Sequence, residues 1–278
     1  MAYQLLRTLR TQGPPAQCAI NNFERATAMN RPRITLSIVS HAQNALVNRL
    51  LGDVAHHCAD TVQLVITENA RDDVALDLGA LRCNVAHVRN ALPRGFGANH
   101  NAAFAHCTTP YYCVCNPDIH FRADPFAALL PHFDDRDVGV VGPLVLSPAG
   151  SVEDSARIFP TVPVLLKKLV GAPRLLDYPV DRGCVPVAWV AGMFMVFRSD
   201  AFRAVHGFDE GYYLYYEDVD ICRRLHESGW SVWYEPDAQV VHDARRASHR
   251  DGRLALQHLA SMMRYFTGPR LPGTAPLH

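Results

Sequence analysis

The chain's eight cysteines include no pair at zinc-ligand spacing, which argues against the small zinc modules. Cys113 and Cys115 alternate inside an apolar run, as small buried side chains do, so a reduced cytosolic protein is expected. No uninterrupted apolar stretch approaches the roughly 20 residues that cross a bilayer. The opening MAYQLLRTLRTQGPPAQ lacks the apolar core of a secretory signal. The expectation is a soluble protein that at most touches a membrane surface. An excess of one charge is also missing: 27 Lys and Arg stand against 27 Asp and Glu, so no overall field gathers nucleic acid. Nucleotide signatures are absent as well. PRGFGANHN (93 to 101) has two glycines but neither the Gly-Lys-Ser/Thr ending of a P-loop nor GxGxxG. A G-x-S-x-G elbow, internal repeats and low-complexity tracts are likewise missing.

What the chain does contain is an alternation of strands and helices. Its 278 residues, 49% hydrophobic, suffice for one large domain. Residues 1–32 show no sustained period and read as an extension; 33–268 read as the folded domain and 269–278 as a tail. ITLSIVSHA (34 to 42) reads as a buried strand, ALVNRLLGDVAHHC (45 to 58) as an amphipathic helix and VQLVITEN (62 to 69) as a second strand. NVAHVRN (84 to 90), a Gly-containing turn, a short helix through Phe104 and YYCVCN (111 to 116) extend the order. This predicts an α/β fold, Rossmann-like, with a mostly parallel sheet and helices on both faces. Later stretches read as a strand and hairpin (137 to 154), a strand leading into a helix (185 to 202), a helix opening at Glu217, and a strand ending at His242.

In such sheets ligands bind beyond the carboxyl ends of the strands. Ser40, Glu68, Asn69 and the Asn116-Pro117-Asp118 turn all stand at those ends. Asn-Pro-Asp alone is a turn signal; at a central strand end, Asp118 is equally suited to a hard divalent cation. Glu217 and Asp218 open a segment in which Val219, Ile221, Cys222 and Leu225 recur at helical spacing and Gly229 closes it. They either complement the helix dipole or belong to a site with Asp118. Tyr212, Tyr213, Tyr215 and Tyr216 precede the pair, as core material or as a wall for a flat ligand. Asp220 and Arg224, four apart, read as a structural ion pair. His242 either caps its strand or joins Asp118 at a metal. Arg245, Arg246, His249 and Arg250 read as a solvated loop or a flap over phosphate. The stretch 159 to 180 mixes apolar residues with Lys167, Lys168 and Arg174, and 254 to 266 is amphipathic; each is either core-packed or interfacial.

Three segments in order, NPD at 116–118, GPLVLSPAGSVEDSARIFPT at 142–161 and VAWVAGMFMVFRSDAFRAVHGFDEGYYLYYEDVDICRRLHESGW at 187–230, resemble the family 2 glycosyltransferases. The likeness is to the bacterial rhamnosyltransferase-like branch with the GT-A fold and runs from about Ile34 to Phe266. It implies a nucleotide-binding half over 33–124 and an acceptor-binding half over 125–268. It makes Asp118 the last acid of a metal-binding DXD element in which Asn116 replaces the first, and His242 a further ligand of Mg²⁺ or Mn²⁺. Asp218, with Glu217, becomes the catalytic pair. The resemblance assigns Ser40, Glu68, Asn69, Arg71, Asn101 and Asn116 to the nucleotide, and Trp189, Gly192 and Tyr215 to the acceptor. The family usually has Asp where Glu68 stands.

The resemblance thus implies an inverting, metal-dependent transferase in synthesis of a bacterial surface polysaccharide such as O-antigen. Its donor would be a dTDP- or UDP-sugar, with dTDP-rhamnose favoured, and its acceptor a saccharide on a polyprenyl carrier. A cytoplasmic enzyme with peripheral contact at the inner membrane face fits that role. A UDP-hexose or UDP-N-acetylhexosamine transferase, or a silent sugar-nucleotide-binding module, are the competing readings.

Overall fold

The computed structural model describes residues 32–161, 176–243 and 252–268. The remainder of the N-terminal extension, the centre of the 159–180 stretch, the basic tract with Arg245, Arg246, His249 and Arg250, and the C-terminal tail lie outside the described residues.

Strand β1 (Ile34–His41) sets the pattern of the sheet. Ile34, Leu36 and Ile38 turn to one face, Thr35 and Ser37 to the other, and all are fully buried, as the period of two demands. It pairs in parallel with β2 (Val62–Ala70) on one side and β4 (Tyr111–Cys115) on the other; β3 (Val85–Arg89) extends the sheet beyond β2. Parallel neighbours need crossovers, and two of these carry α1 (Asn44–His57) and α2 (Phe96–Phe104).

Beyond β4 the sheet changes character. β11 (Phe194–Arg198) lies between β4 and β6 (Val138–Leu146) and runs antiparallel to both. β12 (Ser231–His242) is again parallel to β6, and β5 (Ile119–His120) closes that edge. A two-residue strand, β7 (Val152–Glu153), folds back onto the end of β6. The order is thus β3-β2-β1-β4-β11-β6-β12-β5. The strand expected within 185–202 is broken into three. β9 (Val185–Pro186) pairs with β12, β10 (Trp189–Val190) forms a separate ribbon with β8 (Ala156–Arg157), and only then does β11 enter the main sheet. The break falls at Gly192, whose N–H goes to the Asp218 carboxylate instead of a neighbouring strand.

Helices cover both faces, as expected. One face packs Val47, Leu50 and Val54 of α1 against β1, and Phe126 and Leu129 of α3 (Phe126–Leu129) against β6, β11 and β12. The other packs Phe202 of α4 (Ser199–Ala204) against β4, β6 and β11, and Ile221 and Leu225 of α5 (Glu217–Glu227) against β10 and β12. Each such fully buried side chain stabilises the fold by about 1.5–3 kcal/mol. Cys113 and Cys115 sit in the first layer, and burial raises both thiols far above the reactive range.

The C-terminal helix α6 (Gly252–Thr267) packs by one face only. Tyr265 rests against Tyr216, and Ser261 Oγ donates to the carbonyl of Leu214 at 2.8 Å. Core packing is therefore the correct reading of that face of 254–266, whereas Leu256, Leu259 and Met263 are exposed. No helix among the described residues is long and apolar enough to cross a membrane.

Candidate functional site

The carboxyl ends of β1 and β4 open on a cleft of about 660 Å³. Asn69, Asn116, Asp118, Gly192, Tyr215, Glu217, Asp218 and His242 all line it. Acids and a histidine from three remote segments thus meet in one place.

Asp118 follows β4 through the Asn-Pro turn, and its carbonyl accepts the N–H of Asp243, which ties the turn to the end of β12. Its Oδ2 lies 3.4 Å from His242 Nε2, while Oδ1 is buried without a partner. His242 also reaches Glu153 on β7, with Nδ1 2.7 Å from Oε2. Burial alone would lower the pKa of this imidazole, but the hydrogen bonds and charges of Asp118 and Glu153 outweigh it and raise it to about 9. The Asp118 carboxylate and the His242 imidazole at an open cleft are donors that suit a divalent cation, and Asp118 Oδ1 has no protein partner.

Across the cleft, α5 presents its first turn. Tyr215 and Tyr216 immediately before it both adopt left-handed backbone, with φ 71° and 68°, which costs roughly 1–2 kcal/mol per residue. Tyr216 is held there by burial against Tyr265 and His258 of α6. The turn delivers Asp218 to the cleft, where Oδ2 accepts the Gly192 N–H at 2.9 Å and Oδ1 the Val219 N–H at 2.9 Å. Helix N–H groups depress a carboxyl pKa, but burial outweighs them here and the net direction for Asp218 is upward. Glu217 is also raised, first by burial and then by the Asp218 charge, and its Oε2 is buried with no partner. A Cβ at Gly192 would lie 3.4 Å from that of Asp218, an ordinary contact, so the glycine is not required by space there.

The residues expected at the nucleotide fare differently. Ser40 is fully buried, donating to Asn44 Oδ1 at 2.6 Å and accepting the N–H of Gln43. Glu68 pairs with Arg89 and His87 through one oxygen and accepts from Asn44 through the other. Asn101 donates to the Phe208 carbonyl and to Glu210 and accepts the Phe208 N–H, so it pins α2 to the turn before the tyrosines. None of these three lines the cleft. Asn69 does, but its amide bridges Arg94 N–H and C=O, Asn90 and His41, which fills its hydrogen-bonding capacity. Arg71 is exposed just past β2 and is not a lining residue. Trp189, expected at the acceptor, is buried instead. Its indole N–H donates to the Ile158 carbonyl at 2.8 Å, and the Arg157 guanidinium lies over the ring.

Arg94 and His100, which line the cleft, and Glu153, which meets the cleft residue His242, escaped the sequence reading. Arg94 and His100 belong to the PRGFGANHN turn. Its glycines serve close approach, since a Cβ at Gly95 would meet the Tyr213 carbonyl at 2.8 Å and one at Gly97 the Phe208 Cβ at 2.6 Å. His100 is fully buried, bonded through Nδ1 to Ser37 Oγ at 2.8 Å, with Nε2 unpartnered at the cleft. Burial pushes it down to about 3, so the ring is neutral. Arg94 lines the cleft and reaches Glu210 at 3.5 Å. A charged residue after a proline, inside a turn already noted for its glycines, was the available signal for Arg94. Glu153 carried none, because only the fold-back of β7 brings it to His242. Elsewhere His132, Cys184 and Glu235 gather three donor types. There His132 and the Asp237 N–H already occupy the two oxygens of Glu235, and the cluster lies outside the cleft.

A family model described as glycosyltransferase like family 2 matches residues 32–258. The N-acetylglucosaminyl-diphospho-decaprenol L-rhamnosyltransferase of Mycobacterium tuberculosis is 36% identical over 158 residues, 53% of this chain and 50% of that protein. The match therefore spans about half the length of that relative. Rhamnosyltransferase WbbL of Escherichia coli is 26% identical over 255 residues, covering 86% of this chain and 94% of its own. Among solved structures, the mannosyltransferase PcManGT from Pyrobaculum calidifontis in complex with GDP-Man and Mn²⁺ superposes with a TM-score of 0.58 at 17% identity, covering 92% of this chain and 74% of that one. GalNAc-T7 with UDP, GalNAc and Mn²⁺ gives 0.57 at 15% identity, covering 78% and 44%. The likeness is one of fold, and the fold is GT-A.

Proposed function

The chain belongs to glycosyltransferase-like family 2, and from that premise we propose that it moves a sugar from a nucleotide donor to a saccharide acceptor with inversion at the anomeric carbon. Rhamnose from dTDP-rhamnose is the favoured donor, because two relatives carry the name rhamnosyltransferase. A polyprenyl-linked acceptor is favoured because one of them is named for a diphospho-decaprenol substrate. On this reading 33–268 is one transferase domain, working in the cytoplasm at the inner membrane face. The observation that carries the reading is that three residues lining one cleft, His100, Asp118 and Glu217, each hold a buried polar atom without a protein partner. Buried polar groups left unpaired are costly, so such a convergence calls for a polar ligand.

Asp118 and His242 would hold a divalent cation, Mg²⁺ or Mn²⁺, whose chemistry when bound is to offset the charge that develops on a diphosphate leaving group. Arg94 would face the same diphosphate as a fixed cationic donor. Asp218 would accept the proton of the attacking hydroxyl. Its raised pKa strengthens it as a base, and the Gly192 N–H keeps one oxygen still while the carboxylate works. Glu217, buried and beside the Asp218 charge, grips its own proton more tightly than a free carboxyl. Tyr215 and the neighbouring Tyr213 would form the wall against which the sugar stacks.

The test is a panel of dTDP-, UDP- and GDP-sugars with and without Mg²⁺ or Mn²⁺, read by thermal shift and by transfer to a lipid-linked saccharide. At a hundredfold excess over Kd, dTDP-rhamnose with the cation is expected to stabilise the protein by about 2.7 kcal/mol. The cation-dependent part should vanish in Asp118→Asn. If no nucleotide sugar shifts the melting curve under any condition, the proposal fails.

A further inference from the structure

We propose that Glu153 is a positioning residue that fixes His242 for cation binding, an inference that rests on the reading of Asp118 and His242 as the cation-holding pair. The sheet register brings the two together. Glu153 is opposite Val145 of β6, and Val145 is opposite Val240 of β12 on its other side. Residues in register share a face of the sheet, and so do residues two apart along a strand. Glu153 and His242 therefore stand on the same face, diagonally across β6, and their side chains close the gap with the 2.7 Å Oε2–Nδ1 bond. An ionised carboxylate can only accept, so this bond draws the ring N–H to Nδ1. When the ring gives up its second proton, Nε2 is the nitrogen left with a lone pair, at the edge of the cleft and 3.4 Å from Asp118 Oδ2. Orientation of a ligating imidazole by a carboxylate on its far nitrogen is a general feature of metal sites, and removing that partner typically weakens metal binding about 10- to 100-fold.

The alternative role for Glu153 is a bond that merely holds the β6–β7 hairpin, and the test separates the two. Mn²⁺ affinity is measured on the full chain in the presence of dTDP by electron paramagnetic resonance, for wild type, Glu153→Ala, Glu153→Gln, Asp118→Asn and His242→Ala. Glu153→Ala is expected to bind Mn²⁺ about 10- to 100-fold more weakly. Glu153→Gln, whose amide oxygen still accepts from Nδ1, should recover most of the loss. Nitrogen-15 spectra of metal-free protein above the His242 titration should show the proton on Nδ1 in wild type and in Glu153→Gln, and a tautomer mixture in Glu153→Ala. A hairpin role alone would lower the unfolding midpoint and leave Mn²⁺ affinity and the tautomer unchanged; that result overturns the proposal. If instead Asp118→Asn and His242→Ala bind Mn²⁺ as wild type does, the reading of the cation site is what has failed, and the Glu153 assignment falls with it.

Discussion

On the β1–β2 side of the cleft Ser40, Asn44, Glu68 and Asn69 have their hydrogen bonds filled, whereas across it two carboxylates each keep an oxygen without a partner. Ser40, Asn44 and Glu68 form a closed chain of hydrogen bonds continued by Arg89 and His87. Asn69 is wholly engaged in shaping the loop at Arg94. Facing them, Asp118 and Glu217 each keep a buried oxygen without a partner. Both sides stand at strand ends or helix starts, so position alone does not separate structural from ligand-binding groups. The unfilled oxygens of Asp118 and Glu217 are the difference between the two sides.

The largest effect that tests this contrast is at Asp218. Asp218→Asn keeps the shape of the side chain, removes its basicity and should lower transfer by about 10²- to 10⁴-fold while nucleotide binding is retained. Turnover near wild type in that variant, measured with a labelled donor, removes Asp218 as the base.

On the opposite side the changes should appear in stability instead. Asn101→Ala loses three bonds to the 208–210 turn and should cost about 1–3 kcal/mol in urea unfolding with the KM for donor unaltered. A raised KM with an unmoved unfolding midpoint would return Asn101 to the nucleotide pocket.

The smallest effect concerns Glu68. Burial alone would raise its pKa, but Arg89, Asn44 and His87 hold it below the usual range. A carboxyl with a depressed folded pKa contributes stability above its unfolded value, about pH 4.3, and loses it as pH falls through the folded value. Glu68→Gln should therefore flatten the acid limb of stability against pH, by less than about 1 kcal/mol because the Arg89 partner is exposed. Urea midpoints across the acid range that run parallel in the two proteins would show that the pair contributes nothing.

Much of the parallel half was legible in the sequence. Runs such as ITLSIVSHA and VQLVITEN are buried on both faces, and such strands announce themselves by their own composition. The helix from Glu217 was legible because its acids, apolar spacing and closing glycine agree. The antiparallel course of β11 was not, since strand direction depends on which neighbours a segment meets. The same limit explains the site. Asp118, Asp218 and His242 could be joined by resemblance, but Glu153, an unremarkable charge in SVED, acquires its partner only through the register of β6 with β7 and β12. Trp189 differs in the other direction: its ring is buried, with the indole N–H on the Ile158 carbonyl, which composition alone does not reveal.

The paired left-handed tyrosines bear on how the loop before α5 tolerates change. In a helix each residue advances about 100° around the axis, so inserting or deleting one position between Tyr216 and the first turn would rotate Asp218 out of the opening and swing a core-facing neighbour toward it. A change of length should therefore be tolerated better upstream of Tyr215, and the two strained residues act as a fixed phase mark from which the orientation of both acids is counted.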